Sequence, residues 1–195
     1  MKLKLGQITD VQTGYIERIS KKPAEPKHIS IIQLRDIDVN GTIDYKNIKE
    51  QEISSKDRYP ELYIGDVIFT AKGSKRSAGV IEKELKATTA SNHYLIIRIK
   101  EEYKDKVMPG YVAFYLRQKP AMDYFEQCAS GSHIPFVTAG SLKELIVELL
   151  PVDKQKTLAE LGGLIAREDE LEMELRELKK KYYKNSVEQL IKAGE

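Results

Sequence analysis

Three positive charges and no acid stand in the ten-residue stretch Thr70-Ala71-Lys72-Gly73-Ser74-Lys75-Arg76-Ser77-Ala78-Gly79. Small Gly and Ser residues let a backbone come close to a phosphate, and Lys72, Lys75 and Arg76 supply the charge. Arg76 also has the fork geometry that pairs with a guanine edge. A solvated hairpin loop would have the same composition. A second polar cluster, Thr88-Thr89-Ala90-Ser91-Asn92-His93, precedes an apolar run. Asn92 can read adenine with two hydrogen bonds, Ser91 and His93 add a hydroxyl and an imidazole, and ordinary turn chemistry would use the same residues. A third, Ala129-Ser130-Gly131-Ser132-His133-Ile134-Pro135, offers Ser132 and His133 in a Gly/Ser loop that would also serve as a plain connector. Together Lys72, Gly73, Ser74, Lys75, Arg76, Ser91, Asn92, His93, Ser132 and His133 are the candidate contacts to DNA.

Catalytic patterns are missing from the sequence. No G-x-x-x-x-G-K-[ST] loop occurs, and Gly73-Ser74-Lys75 has glycine and lysine in the wrong order for one. No G-x-G-x-x-G follows a strand, and the Asn/Asp-Pro-Pro-aromatic tetrapeptide of amino-methyltransferases is absent. Cys128 has His133 five residues on, but nothing marks a third partner or an oxyanion hole. His28, His93 and His133 are too widely spaced for a metal-ligand pattern. The expectation is a non-catalytic chain with no metal and no cofactor.

These loops need a scaffold. An apolar content of 41% is enough for a packed core, while a charged content of 32% exceeds the roughly one quarter usual for globular chains and signals a solvated helix or a charged surface. The net charge of +2 does not by itself establish nucleic-acid binding. Of the 32 Lys/Arg and 30 Asp/Glu, residues 153–195 hold 9 and 10, which leaves 23 and 20 for residues 1–152, a small basic excess. The single cysteine fits a reducing cytosol, and no apolar run approaches the roughly 20 residues that span a bilayer. A cytoplasmic protein is expected, with no membrane partner.

Two textures divide the chain: residues 1–150 as an α+β, β-rich domain and residues 151–195 as one long helix. Strands are predicted at His28–Leu34, Tyr63–Thr70 (with a turn or entry at Gly65-Asp66), Ala78–Ile81 and His93–Ile99, where β-branched residues dominate. A helix starts at Pro109, and a second short one carries Met122 and Phe125. Ser141 is the expected cap of a turn over Leu142–Leu145, and Ile146–Leu150 reads as a strand. Asp153 is the expected N-cap of the final helix. There Leu161, Leu164, Leu171, Leu175, Leu178 and Tyr182 repeat every three and four residues, with Glu168 and Asn185 filling the gaps. A helix of about 40 residues is about 60 Å long, longer than a domain of this size, so its stripe calls for a second helix and a coiled coil, most simply a homodimer. The competing expectation is a helix folded back on its own domain. Gly162-Gly163 interrupts the pattern and implies either a kink or a close backbone approach by a partner.

The order of the pieces resembles one half of a specificity subunit of type I restriction–modification systems. Leu5-Gly6-Gln7-Ile8 with Gly14 is similar to that family's opening segment, and Gly65-Asp66-Val67-Ile68-Phe69 to its glycine–aspartate strand. Gly131-Ser132-His133-Ile134-Pro135-Phe136-Val137, Leu142-Lys143-Glu144-Leu145 and Leu150-Pro151-Val152-Asp153-Lys154-Gln155 are similar to the segment that leads into its spacer helix. The resemblance implies a target-recognition domain on double-stranded DNA and a spacer helix. It also implies a methyltransferase subunit as partner, with a restriction subunit as a further one, and each domain of the family reads half of a split site. This chain departs from the family in having one domain and one helix. A different class, a coiled-coil adaptor without DNA contact, fits the helix but makes no use of the loops.

Overall fold

Every residue of Val67-Ile68-Phe69-Thr70 is buried, and so are all but one of Tyr94-Leu95-Ile96-Ile97-Arg98-Ile99. Side chains alternate across a strand, so such runs require cover on both faces of their sheet. The computed structural model describes residues 1–17, 25–73, 75–128 and 136–193 and shows that cover. In chain order the elements are β1 (Lys2–Lys4), α1 (Leu5–Ile8), β2 (Thr9–Thr13), β3 (Pro26–Ile32), β4 (Lys49–Ser54), β5 (Val67–Thr70), β6 (Ala78–Val80), β7 (Thr88–Ala90), β8 (Tyr94–Ile99), α2 (Pro109–Leu116), α3 (Lys119–Cys128), α4 (Ala139–Glu144), β9 (Ile146–Glu148) and α5 (Val152–Ala193).

The central sheet has the order β2-β8-β5-β6, all antiparallel. Val67, Phe69, Leu95, Ile97 and Ile99 point to one side, into the core formed with α1, α2, α3 and α4. Ile68, Tyr94 and Ile96 point to the other, against Ile32, Ile37, Leu62 and Ile81. A second sheet, β4-β3-β7, pairs β3 antiparallel with β4 and parallel with β7. The small sheet β1-β9 joins residues near Met1 to those just before α5. The architecture is α+β with a long C-terminal helix, as expected.

Several boundaries differ from expectation. The strand expected from Tyr63 begins at Val67, because Tyr63–Asp66 closes a turn in which the Asp66 backbone N–H donates to the Tyr63 carbonyl at 3.0 Å. Asp66 is buried, and Arg98 donates to both of its carboxylate oxygens at 2.7 and 2.6 Å while lying over the Tyr63 ring. Thr138, not Ser141, caps α4; Ser141 is the third helical residue, and its hydroxyl answers the Thr138 backbone N–H. Asp153 is not the N-cap of α5, since the helix starts one residue earlier, and its carboxylate instead sits in the first turn, where it suits the helix dipole.

α5 is one continuous helix through both glycines. A Cβ on Gly162 would stand 2.8 Å from Phe114 Cδ2, so α2 passes too close for a side chain there. A Cβ on Gly163 would meet open space. The glycine pair therefore makes no break in the helix, and the close approach at Gly162 is to the chain's own α2, not to a partner. Gln155, fully buried, fixes the start of the helix. Its amide donates to the carbonyls of Lys106 and Leu150, both at 2.8 Å, and its oxygen accepts from the Met108 N–H at 3.0 Å. The helix does fold back on its own domain, but only along one face: Gln155, Leu158, Ala159, Gly162, Ala166 and Asp169 are buried or half-buried. At about 100° per residue the leucine ladder lies roughly opposite that face. Its members, Leu161, Leu164, Leu171, Leu175, Leu178 and Tyr182, are 45–69% exposed, an open apolar stripe on the outside of the molecule.

Candidate nucleic-acid interface

The three polar segments lie far apart in sequence, yet main-chain bonds draw their flanks together. β5 ends at Thr70, and the next two backbone N–H groups, of Ala71 and Lys72, both donate to the His93 carbonyl at 2.8 and 3.1 Å. His93 belongs to the turn Ser91–Tyr94 that opens β8. On the other side Lys72 bridges to Phe136, and the Val137 N–H donates to the Ala71 carbonyl at 2.9 Å. Residue 136 directly follows the third segment. Ser74, Ser132 and His133 themselves lie outside the described residues, and so therefore does a Cys128–His133 pair.

Lys72 and Lys75 are exposed, and neither makes an ion pair among the described residues. Gly73 and Lys75 line a cleft of about 530 Å³ between this loop, the 37–40 loop and α5, where Asp38, Asp169, Glu172 and Arg176 also stand. Asn40 ties the two walls, its amide donating to the Asp169 carboxylate at 2.7 Å. Asn92 and His93 are half-buried and reach the surface.

Two candidates are placed otherwise than expected. Arg76, the expected base reader, turns its guanidinium inward, 5.9 Å from the centre of the Phe125 ring on α3. Its Nη1 is buried without a hydrogen-bond partner among the described residues, and that burial holds its pKa below the ordinary arginine value. The aromatic face of Phe125 draws the cation away from solvent. Ser91 is buried, and its hydroxyl stands 3.4 Å from His93 Nδ1. It orients the imidazole and does not face outward.

Three polar residues missed in the sequence stand beside His93: Gln33, Arg35 and Gln51 line the same shallow depression. Arg35 is exposed, and the Tyr94 hydroxyl, buried with a raised pKa, donates to the Gln33 carbonyl at 3.2 Å and fixes the backbone there. Phe136 is a further omission, an exposed ring bridged to Lys72. A Gln-Leu-Arg run directly after an apolar strand was the available signal. The composite surface offers cations, amides, an imidazole and an exposed ring, the set that grips phosphates and reads base edges. No group of three metal-ligating side chains occurs among the described residues, and no helix of theirs is long and apolar enough to cross a membrane.

No protein-family model matches the sequence, and no curated protein matches it. Solved structures do. A chain from a type I R-M system, solved in work on its complex assembly and conformational transition, superposes with a TM-score of 0.64 at 17% identity, over 88% of this chain and 43% of that one. The HsdS subunit from Thermoanaerobacter tengcongensis gives 0.61 at 18% identity, over 88% and 43%. The S subunit of the type I restriction-modification system of M. genitalium gives 0.53 at 14% identity, over 92% and 42%. The chain has the fold of a type I specificity subunit. It spans less than half the length of these structures, and at such identities the likeness is one of fold.

Within that specificity-subunit fold the resembling motifs acquire physical reasons. Leu5 and Ile8 of the opening segment are fully buried in the one-turn α1. Gly14 passes the Ser91 carbonyl so closely that a Cβ would lie 2.2 Å from its oxygen. Asp66 of the glycine–aspartate strand is the buried partner of Arg98. Gln155, at the end of the segment leading into the helix, is the bolt that holds α5 to the domain.

Proposed function

We propose that this chain reads DNA sequence for a modification methyltransferase, with residues 1–150 as the target-recognition domain and residues 151–195 as a pairing helix. The observation that carries this is the convergence of the Lys72–Lys75 loop, the Asn92-His93 turn and Phe136 on one surface. The specificity-subunit fold supports the same reading. Lys72 and Lys75 hold the phosphate backbone, and Asn92, His93, Gln33, Arg35 and Gln51 stand where base edges pass. Ser74, Ser132 and His133 are retained as DNA-binding residues on the strength of the sequence. Methyl transfer belongs to the partner subunit, and this chain needs no cofactor of its own. A restriction subunit completes the complex where cleavage occurs.

Two copies joined through the ladder present two identical reading surfaces, so the recognised site is split and inverted-repeat, its halves about one helical turn apart. A gel shift on a pool of random duplexes, followed by a salt titration on the selected site, tests the reading. The double variant Lys72→Ala, Lys75→Ala is expected to bind more weakly, with its salt slope lowered by about 0.9 for each phosphate that is no longer neutralised. An unchanged slope excludes the loop, and no selected sequence at all favours the adaptor. Methylation mapping with the partner present tests the symmetry; an asymmetric motif points to pairing with a different specificity chain.

A further inference from the structure

The loop between Ile37 and Ile43 belongs neither to the reading surface nor to the joint at Gln155, yet it is closely built. Ile37 and Ile43 pair as a single antiparallel bridge, and both side chains are buried in the core beneath. At the tip the Asp38 carboxylate accepts from the backbone N–H groups of Asn40 at 2.9 Å and Thr42 at 2.8 Å, which fixes the turn. Gly41 takes φ +85°, and a Cβ on it would stand 1.9 Å from the Ala78 carbonyl oxygen, so the tip lies against β6. The Ser77 hydroxyl donates to the Asp38 carbonyl, and Arg117, just after α2, donates to the Ala78 carbonyl. The loop is thus seated on the strand that follows Lys72–Arg76.

From this seat Asn40 reaches α5. Its amide donates to the Asp169 carboxylate at 2.7 Å, in a part-buried bond. Asp169 stands fourteen residues beyond Gln155 and seven beyond Gly162. Seven residues are close to two helical turns, so all three face the domain. From Glu170 to Asn185 every side chain is exposed. The bond also follows the weakest stretch of the helix, because Gly162-Gly163 favours helix less than any residues but proline. Beyond it a cleft of about 530 Å³ separates the loop from Glu172, Met173 and Arg176, so packing does not take its place.

We infer that Asn40 is a positioning residue: its bond to Asp169 braces α5 beyond the glycine pair and fixes the angle at which the helix leaves the domain, and thereby the spacing between the two halves of the DNA site. The spacing rests on the DNA-reading function proposed above; the brace does not. Leverage gives the bond its weight. If α5 rocks about its contact with Phe114 at Gly162, Asp169 lies about 10 Å and Leu178 about 24 Å from the pivot. A displacement of about 3 Å at Asp169, one hydrogen-bond length, becomes about 7 Å at Leu178. DNA rises about 3.4 Å per base pair, so this is about two base pairs of spacing.

Electron–electron resonance between two spin labels measures the angle in the full chain. The labels sit at Gln12→Cys on β2 and Lys181→Cys on α5, both exposed, with Cys128→Ser as background and labelled chains diluted in unlabelled ones. The unaltered chain is expected to give one narrow distance. Asn40→Ala should broaden it by at least about 5 Å, and Asn40→Asp likewise, by setting two carboxylates face to face. Asn40→Asp combined with Asp169→Asn should narrow it again, because amide and carboxylate have exchanged places. Less broadening, a broad distance in the unaltered chain, or no narrowing in the exchanged pair overturns the brace. Circular dichroism confirms the fold of each variant. Selection from duplexes with half-sites at every separation then tests the spacing. The unaltered chain should choose one separation, and Asn40→Ala should accept separations up to about two base pairs away within about threefold, with its affinity for a single half-site unchanged. An unwidened range, or a weakened single half-site, overturns the positioning role. If the unaltered chain selects no duplex at all, the DNA reading falls with its spacing, while the resonance experiment still decides the brace.

Discussion

The central sheet and the last helix meet the same physical demand in different places. The sheet has both faces covered by its own chain, so Val67, Ile68 and Phe69 are buried in succession. α5 has one face covered as far as about Asp169, and beyond Arg176 its described side chains are exposed apart from Ser186, which is half-buried. The sheet is covered from within, whereas the helix carries a stripe that stays 45–69% exposed among the described residues. Stability should therefore reside in the first and association in the second, and substitutions in the two should be readable by different instruments.

The largest effect is expected at the doubly covered sheet. Phe69→Ala empties a site packed against Phe125 and should cost about 3–5 kcal/mol in urea unfolding; a loss under about 1 kcal/mol would show that the sheet is not the stabilising unit. Gln155→Ala comes next. It strands two carbonyls and an N–H at the joint and should cost about 2–3 kcal/mol, with faster amide exchange at the start of α5. Unchanged exchange there would mean that the joint is held by packing alone. Between the two glycines the sign should split. Gly163→Ala faces open space and should gain about 0.5–1 kcal/mol from helix propensity, while Gly162→Ala meets Phe114 and should lose that gain or more. Equal gains at both would remove the close approach as an explanation. Smallest is Leu178→Lys at concentrations where the chain is monomeric, expected within about 0.5 kcal/mol because the side chain is more than half exposed. A larger loss would place the ladder against the domain.

The same contrast explains what the sequence made legible. α5 was readable apart from its first residue because its spacing is local, and β3, β5, β6 and β8 were readable because burial on both faces makes them runs of apolar and β-branched residues. β4 was missed: Lys49-Glu50-Gln51-Glu52 is the charged edge of its sheet, with Ile53 as its one buried residue. β7 is too short to show a period, and β1 declares itself only through pairing with β9, far along the chain. The proposed reading surface was half legible. Lys72, Lys75, Asn92 and His93 stand out by composition, but their meeting depends on the bonds from Ala71 and Lys72 to the His93 carbonyl. The inward turn of Arg76 depends on Phe125, some fifty positions later, and Gln33, Arg35 and Gln51 become neighbours of His93 only through the fold. The glycine pair posed a question that only the position of α2 answers.

The joint at Gln155 has an evolutionary consequence. Its side chain hydrogen-bonds main-chain groups, the carbonyls of Lys106 and Leu150 and the N–H of Met108. Such a coupling is blind to the side chains of the domain it holds. The residues around Lys72, Asn92 and Gln33 can change without altering the hydrogen bonds that attach the helix. If the proposed function holds, inheritance can thus alter the text that is read while keeping the handle by which the reader is held.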